Sequence, residues 1–111
     1  FIARRGASGY REFNFSPSGE WAAYEFTRYR DGAPLADPAL APGIVVRQRP
    51  HRLELQARIR LQLEHPLRIG LAAVIEEKSG ALSYWALRHA PGKPDFHHPD
   101  AFALELDGLR H

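Results

Sequence analysis

The sequence predicts a single all-β domain, an antiparallel β-sandwich. Three observations carry that reading. Arg52 to Leu63 alternate apolar and polar side chains over twelve positions. Two further alternating stretches close on tight, glycine-containing turns. No segment carries a long helical apolar period. Short strands separated by turn signals are the mark of a sandwich.

The first hairpin is predicted from Tyr10–Ser16 and Glu20–Thr27, joined through Ser16-Pro17-Ser18-Gly19. Proline at the second turn position and glycine at the fourth fit a type I turn, with Gly19 free to take the left-handed position. If Ser16 pairs near Glu20, Phe13 and Phe15 share a core face with Trp21 and Ala23. The opposite face then carries Tyr10, Glu12 and Asn14 against Ala22, Tyr24 and Phe26, a mixed polar and aromatic surface.

Arg30 to Gly43 holds Gly32, Pro34, Pro38, Pro42 and Gly43, and is predicted as a loop with a helical turn near Asp37–Leu40. Ile44–Arg49 is a short strand stopped by Pro50. In Arg52–Leu63 the residues Leu53, Leu55, Ala57, Ile59, Leu61 and Leu63 form one side, and period two requires one buried and one wet face. Leu67–Glu77 and Ala81–Arg88 form a second hairpin around Lys78-Ser79-Gly80. Pairing Glu77 with Ala81 places Leu67, Ile69, Leu71, Ala73 and Ile75 in the core with Ser83, Trp85 and Leu87. The other side has Gly70, Ala72 and Val74 beside Leu82, Tyr84 and Ala86, room for a ligand or for a loop of the same chain. Ala90–Pro99 is a second loop, and Phe102–Leu106 a last short strand.

Composition sets bounds on this domain. Its 111 residues, 44% apolar, suffice for one core and for one domain over residues 1–111. Fifteen basic against 13 acidic residues leave a net charge of +2, with arginines spread from Arg4 to Arg110. A nucleic-acid partner is not expected, because such partners call for a concentrated basic stripe. No apolar run approaches the roughly 18 residues that span a bilayer, so no membrane partner is expected. Cysteine is absent, which excludes disulfides and thiolate metal sites.

Glu12-Phe13-Asn14-Phe15-Ser16-Pro17-Ser18-Gly19-Glu20-Trp21-Ala22-Ala23-Tyr24 and Leu82-Ser83-Tyr84-Trp85-Ala86-Leu87, the latter leading into Gly92-Lys93-Pro94-Asp95-Phe96-His97-His98, stand in this order along the chain. Together they resemble the DOMON-like domain proteins of bacteria, small β-sandwiches similar to sugar- and haem-binding DOMON domains and to carbohydrate-binding modules. The resemblance implies a binding class rather than an activity. It also implies further strands ahead of Phe1, with Phe1-Ile2-Ala3 as the tail of one of them.

Four candidate sites follow. Tyr10, Glu12, Asn14, Tyr24 and Tyr84 could stack on and hydrogen-bond a carbohydrate or other polar small molecule, or could simply be cross-strand pairs on a sheet surface. Asp95, His97, His98 and Asp100 could ligate a divalent metal, joined by His65 or His89, but adjacent histidines suit one metal poorly. The plainer expectation is a turn-rich loop, with Asp95 and Asp100 capping turns and one histidine packed beneath. That loop would form the rim of the sheet-face site. Haem, the third candidate, would need bis-His ligation through His97 or His89, since the chain has no methionine. Glycoside hydrolysis, the fourth, needs two cooperating carboxylates. Glu76 and Glu77 point to opposite faces of a turn and do not supply them. The sequence thus predicts a noncatalytic binding module for a carbohydrate or similar ligand. Its alternatives are a metal- or haem-bearing redox or enzymatic domain and an accessory domain that packs on a partner.

Overall fold

A computed structural model of the chain describes residues 1–35, 37, 40–61 and 66–106. Its strands are β1 (Ile2–Arg4), β2 (Tyr10–Phe15), β3 (Trp21–Arg28), β4 (Asp31–Pro34), β5 (Gly43–Arg49), β6 (Arg52–Arg58), β7 (Leu67–Ile69), β8 (Ala72–Glu76), β9 (Leu82–Ala86) and β10 (Leu104–Leu106). A 3-10 turn, Pro99–Ala101, precedes β10. Six strands form one antiparallel sheet in the order β10-β7-β1-β2-β3-β4. The pairs β5-β6 and β8-β9 form separate two-stranded sheets. The fold is all-β and antiparallel, as the alternating pattern predicts.

The first hairpin has the predicted register. Ser16 N–H donates to Glu20 O at 2.9 Å, and Gly19 N–H donates to Ser16 O at 2.9 Å. Gly19 sits at φ 90°, in the left-handed region that favours glycine. Phe15 pairs with Trp21, Phe13 with Ala23, Glu12 with Tyr24 and Tyr10 with Phe26. Continuing the pairing across β1 and β7 puts Ile2, Leu67, Ile69, Leu104 and Leu106 on the same face as Phe13, Phe15, Trp21 and Ala23. Among the described residues Tyr10, Ala23, Leu40, Leu67, Ala90, Ala101 and Phe102 are the buried apolar ones, so the core they form lies within and around the six-stranded sheet.

Three sequence expectations need correction. The stretch expected as a loop from Arg30 contains β4, which pairs with β3 from Tyr24 to Arg28. An edge strand tolerates Pro34, because its missing N–H faces outward. Gly32 makes the pairing feasible, since any Cβ there would lie 2.8 Å from the Phe26 Cα. Within the same stretch, the expected turn is marked by Leu40 N–H donating to Asp37 O at 3.0 Å.

The long strand expected over Arg52–Leu63 stops at Arg58. Its partner β5 begins at Gly43, which pairs with Arg58, and the preceding Pro42 has no N–H to extend the ladder. Gln62 and Leu63 lie outside the described residues. The face predicted to be buried is open, with Leu53 53% exposed.

The strand expected over Leu67–Glu77 breaks at Gly70 and Leu71. Gly70 is buried, and its N–H donates to Phe1 O at 2.9 Å. A Cβ on Gly70 would stand 3.2 Å from Ala101 O and 3.4 Å from Phe102 Cδ1, so glycine lets the 3-10 turn approach. The first piece, β7, therefore joins β1 and β10, and the second, β8, pairs only with β9. The predicted β8-β9 register holds, from Ala72 with Ala86 to Glu76 with Leu82. Its predicted core side does not. Leu71, Ile75, Trp85 and Leu87 are exposed, Trp85 at 62%. A two-stranded ribbon has no second layer of its own, and among the described residues no element covers this one.

Candidate functional site

The period of two in β2 and β3 brings Glu12, Asn14, Tyr24 and Phe26 to one face of the large sheet, beside Tyr10. The segment Asp95–Phe102 lies over one end of this face. The His97 ring stands 4.9 Å from Phe1 and 5.0 Å from Phe26, both edge-on. Tyr10 stacks on Phe26 at 4.8 Å with planes 12° apart, and meets Phe102 edge-on at 5.7 Å. Two arginines fasten the segment. Arg68 donates to Pro99 O at 2.8 Å and lies over the Phe102 ring. Arg30 donates to Asp95 Oδ1 at 2.8 Å, and the Tyr29 hydroxyl donates to the same carboxylate.

A short chain of hydrogen bonds orients His97. Arg30 N–H donates to Tyr10 Oη at 2.9 Å. The Tyr10 hydroxyl lies 2.9 Å from His97 Nδ1. Burial raises the Tyr10 pKa above its ordinary value. Its Oη accepts from Arg30 N–H, which leaves its own proton for Nδ1, and the Glu12 carboxylate beside Nε2 can only accept. The ring proton of neutral His97 therefore sits on Nε2, an assignment made from these donors. Nε2 faces Glu12 Oε1 at 3.6 Å. Arg30 has φ 55°, the one non-glycine residue among those described with a left-handed backbone. This turn aims its N–H at Tyr10 while its side chain reaches Asp95.

Beside the segment lies an open pocket of about 310 Å³, lined by Glu12, Asn14, Tyr24, Phe26, Arg30 and His97. It brings the sheet face together with His97 of the loop that the sequence analysis places at its rim. Four predicted residues line it: Glu12, Asn14, Tyr24 and His97. Asp95 stands behind Arg30 as an anchor, and its Oδ1 accepts from His97 N–H at 3.1 Å, the turn-capping role expected of it. Tyr10 is corrected from a ligand-stacking residue to a buried support, 8% exposed, because Phe102 and His97 pack over it. Tyr84 belongs to the separate β8-β9 sheet and lies 6.3 Å from Phe96, away from the pocket lining. Phe26 and Arg30 complete the lining. Phe26 follows from the same alternation as Tyr24, whereas Arg30 lies in a stretch that reads as a loop and carries no sequence signal.

Among the described residues the metal donors do not converge. His98 Nδ1 accepts from Asp100 N–H at 3.1 Å and caps the 3-10 turn. The expected cap by the Asp100 side chain is thus reversed, with the histidine capping Asp100. His89 lies 6.1 Å from Phe96, and His65 is outside the described residues. His97 spends Nδ1 on Tyr10 and turns Nε2 to Glu12. Among the described residues no group of three or more His, Asp or Glu side chains is placed to hold a metal ion.

Burial is the largest influence on His97 and lowers its pKa, with the Glu12 carboxylate opposing and the Arg30 charge assisting. The unfolded chain takes up this proton near the ordinary value of 6.5, before the native state does. Stability tied to neutral His97 is complete above pH 6.5 and falls as pH drops toward the lower native value. Asp95 adds a second window. Burial alone would raise its pKa, but the Tyr29 hydroxyl and the Arg30 guanidinium outweigh it and hold it below 3.8. That contribution is present above pH 3.8 and is lost below it. Urea unfolding between about pH 7 and pH 5 should show the wild type losing stability, and His97→Gln should lack this slope. Equal slopes in the two proteins would contradict a buried, neutral His97.

No protein-family model, no curated protein and no solved structure matches this chain.

Proposed function

We propose that this pocket binds a polar small molecule without covalent chemistry, and that a carbohydrate suits it best. The observation that carries the reading is the lining itself. Tyr24 and Phe26 present apolar ring surface between a carboxylate, an amide, a guanidinium and an imidazole N–H. Sugars offer this combination in reverse, with C–H faces for the rings and hydroxyls for the polar groups. Tyr10, Phe102 and Asp95 hold the lining in place from behind, which limits the ordering cost on binding. The resemblance to DOMON-like sandwiches supports the same class.

A glycan-array screen of the purified protein, followed by titration of any binder, tests this. Tyr24→Ala is expected to weaken binding about tenfold, the scale of one aromatic contact, while the circular dichroism spectrum stays that of the folded protein. Unchanged affinity in a folded Tyr24→Ala variant would place the ligand elsewhere. Silence of the folded wild type across the array would remove carbohydrate as the ligand.

A further inference from the structure

We infer that the pocket prefers a ligand carrying a protonated amine, an amino sugar with a free amino group over its N-acetylated or neutral counterpart. This rests on the binding reading above and names the ligand class for the same site. The inference comes from counting the charges that face the pocket. Arg30 is exposed, but its Nη2 donates to Asp95 at 2.8 Å and its Nε donates to the Tyr29 hydroxyl at 3.2 Å. Its charge is thus balanced within the wall. Arg11 is on the opposite face of β2, 3.7 Å from Glu25.

Glu12 is different. Among the described residues its one ion-pair neighbour is His97 Nε2, at 3.6 Å, and burial disfavours the charged imidazole that would answer it. The Phe1 nitrogen donates to Gly70 O at 2.9 Å. One carboxylate, with 15% of its side chain exposed, therefore faces the pocket largely uncompensated. Tyr24 and Phe26 stand beside it, 6.5 Å apart, and the negative faces of aromatic rings attract cations. A carboxylate in a pocket that aromatic rings also line is chemistry suited to an ammonium group. A sugar carboxylate, by contrast, would meet Glu12 as a like charge.

The test compares three oligosaccharides of one linkage geometry by titration in mildly acidic, low-salt buffer. They are a fully deacetylated chito-oligosaccharide, its N-acetylated form and a cello-oligosaccharide. The deacetylated form is expected to bind about tenfold more tightly than the other two. In Glu12→Gln that ratio should fall to about one. The wild type provides an independent readout, because added salt should narrow the preference as screening grows. Equal wild-type affinity for the deacetylated and acetylated forms overturns the inference and leaves carbohydrate binding standing. A preference kept by Glu12→Gln, or one insensitive to salt, overturns it as well. Failure of all three sugars to bind overturns the carbohydrate reading itself, and the inference with it.

Discussion

Phe102→Ala is expected to destabilise the domain by about 3–5 kcal/mol, a large part of the roughly 5–15 kcal/mol that holds a domain folded. The ring is 5% exposed and is wedged among Phe1, Tyr10 and the Arg68 guanidinium. Removing it opens a cavity beneath the 3-10 turn that the sheet has no means to close. The loss also reaches the pocket. The turn carries the end of the segment that seats His97, so the lining loosens together with the core. Phe102→Leu keeps much of the apolar volume and should cost less. Urea-unfolding midpoints of the three proteins measure the order directly. An alanine variant within about 1 kcal/mol of wild type would mean that this segment is not seated on the sheet.

Tyr10→Phe is the second large effect, expected at about 1–3 kcal/mol. The change keeps the ring that stacks on Phe26 and removes only the hydroxyl. Two groups then lose their partner at once, the Arg30 N–H and His97 Nδ1. The penalty is that of leaving polar groups unpaired in a half-buried place. A second readout separates this from a general loosening. Nitrogen-15 chemical shifts should show His97 as the Nε2–H tautomer in the wild type, and that preference should vanish in Tyr10→Phe. A folded variant with unchanged stability and an unchanged tautomer would break the proposed chain of hydrogen bonds.

The two halves of the site differ in how far the sequence reveals them. Glu12, Asn14, Tyr24 and Phe26 are legible together, because the Ser16–Gly19 turn sets the pairing and strand alternation does the rest. These are contacts among neighbours in the chain. His97 and Arg30 are legible only as residue types in loops. Their roles come from bonds across 87 residues between Tyr10 and His97, and across 65 between Arg30 and Asp95. No local pattern encodes such a meeting. Tyr10 shows the same limit from the other side. Its face is as predicted, but its burial depends on a loop arriving from far along the chain.

By itself the sequence determined that the chain is built of strands, where the two tight turns fall, and which side chains share a face. Each of these depends on interactions within a few residues of one another, and turn geometry leaves little freedom in the pairing. Only the tertiary structure decided which faces are covered. It split the strand at Gly70 between two sheets, laid His97 and Phe102 over Tyr10, and left the alternating leucines of β6 and Trp85 of β9 in the open. Period two specifies that a strand has an apolar side. It is silent on what lies against that side, because that is settled by the docking of segments remote in sequence.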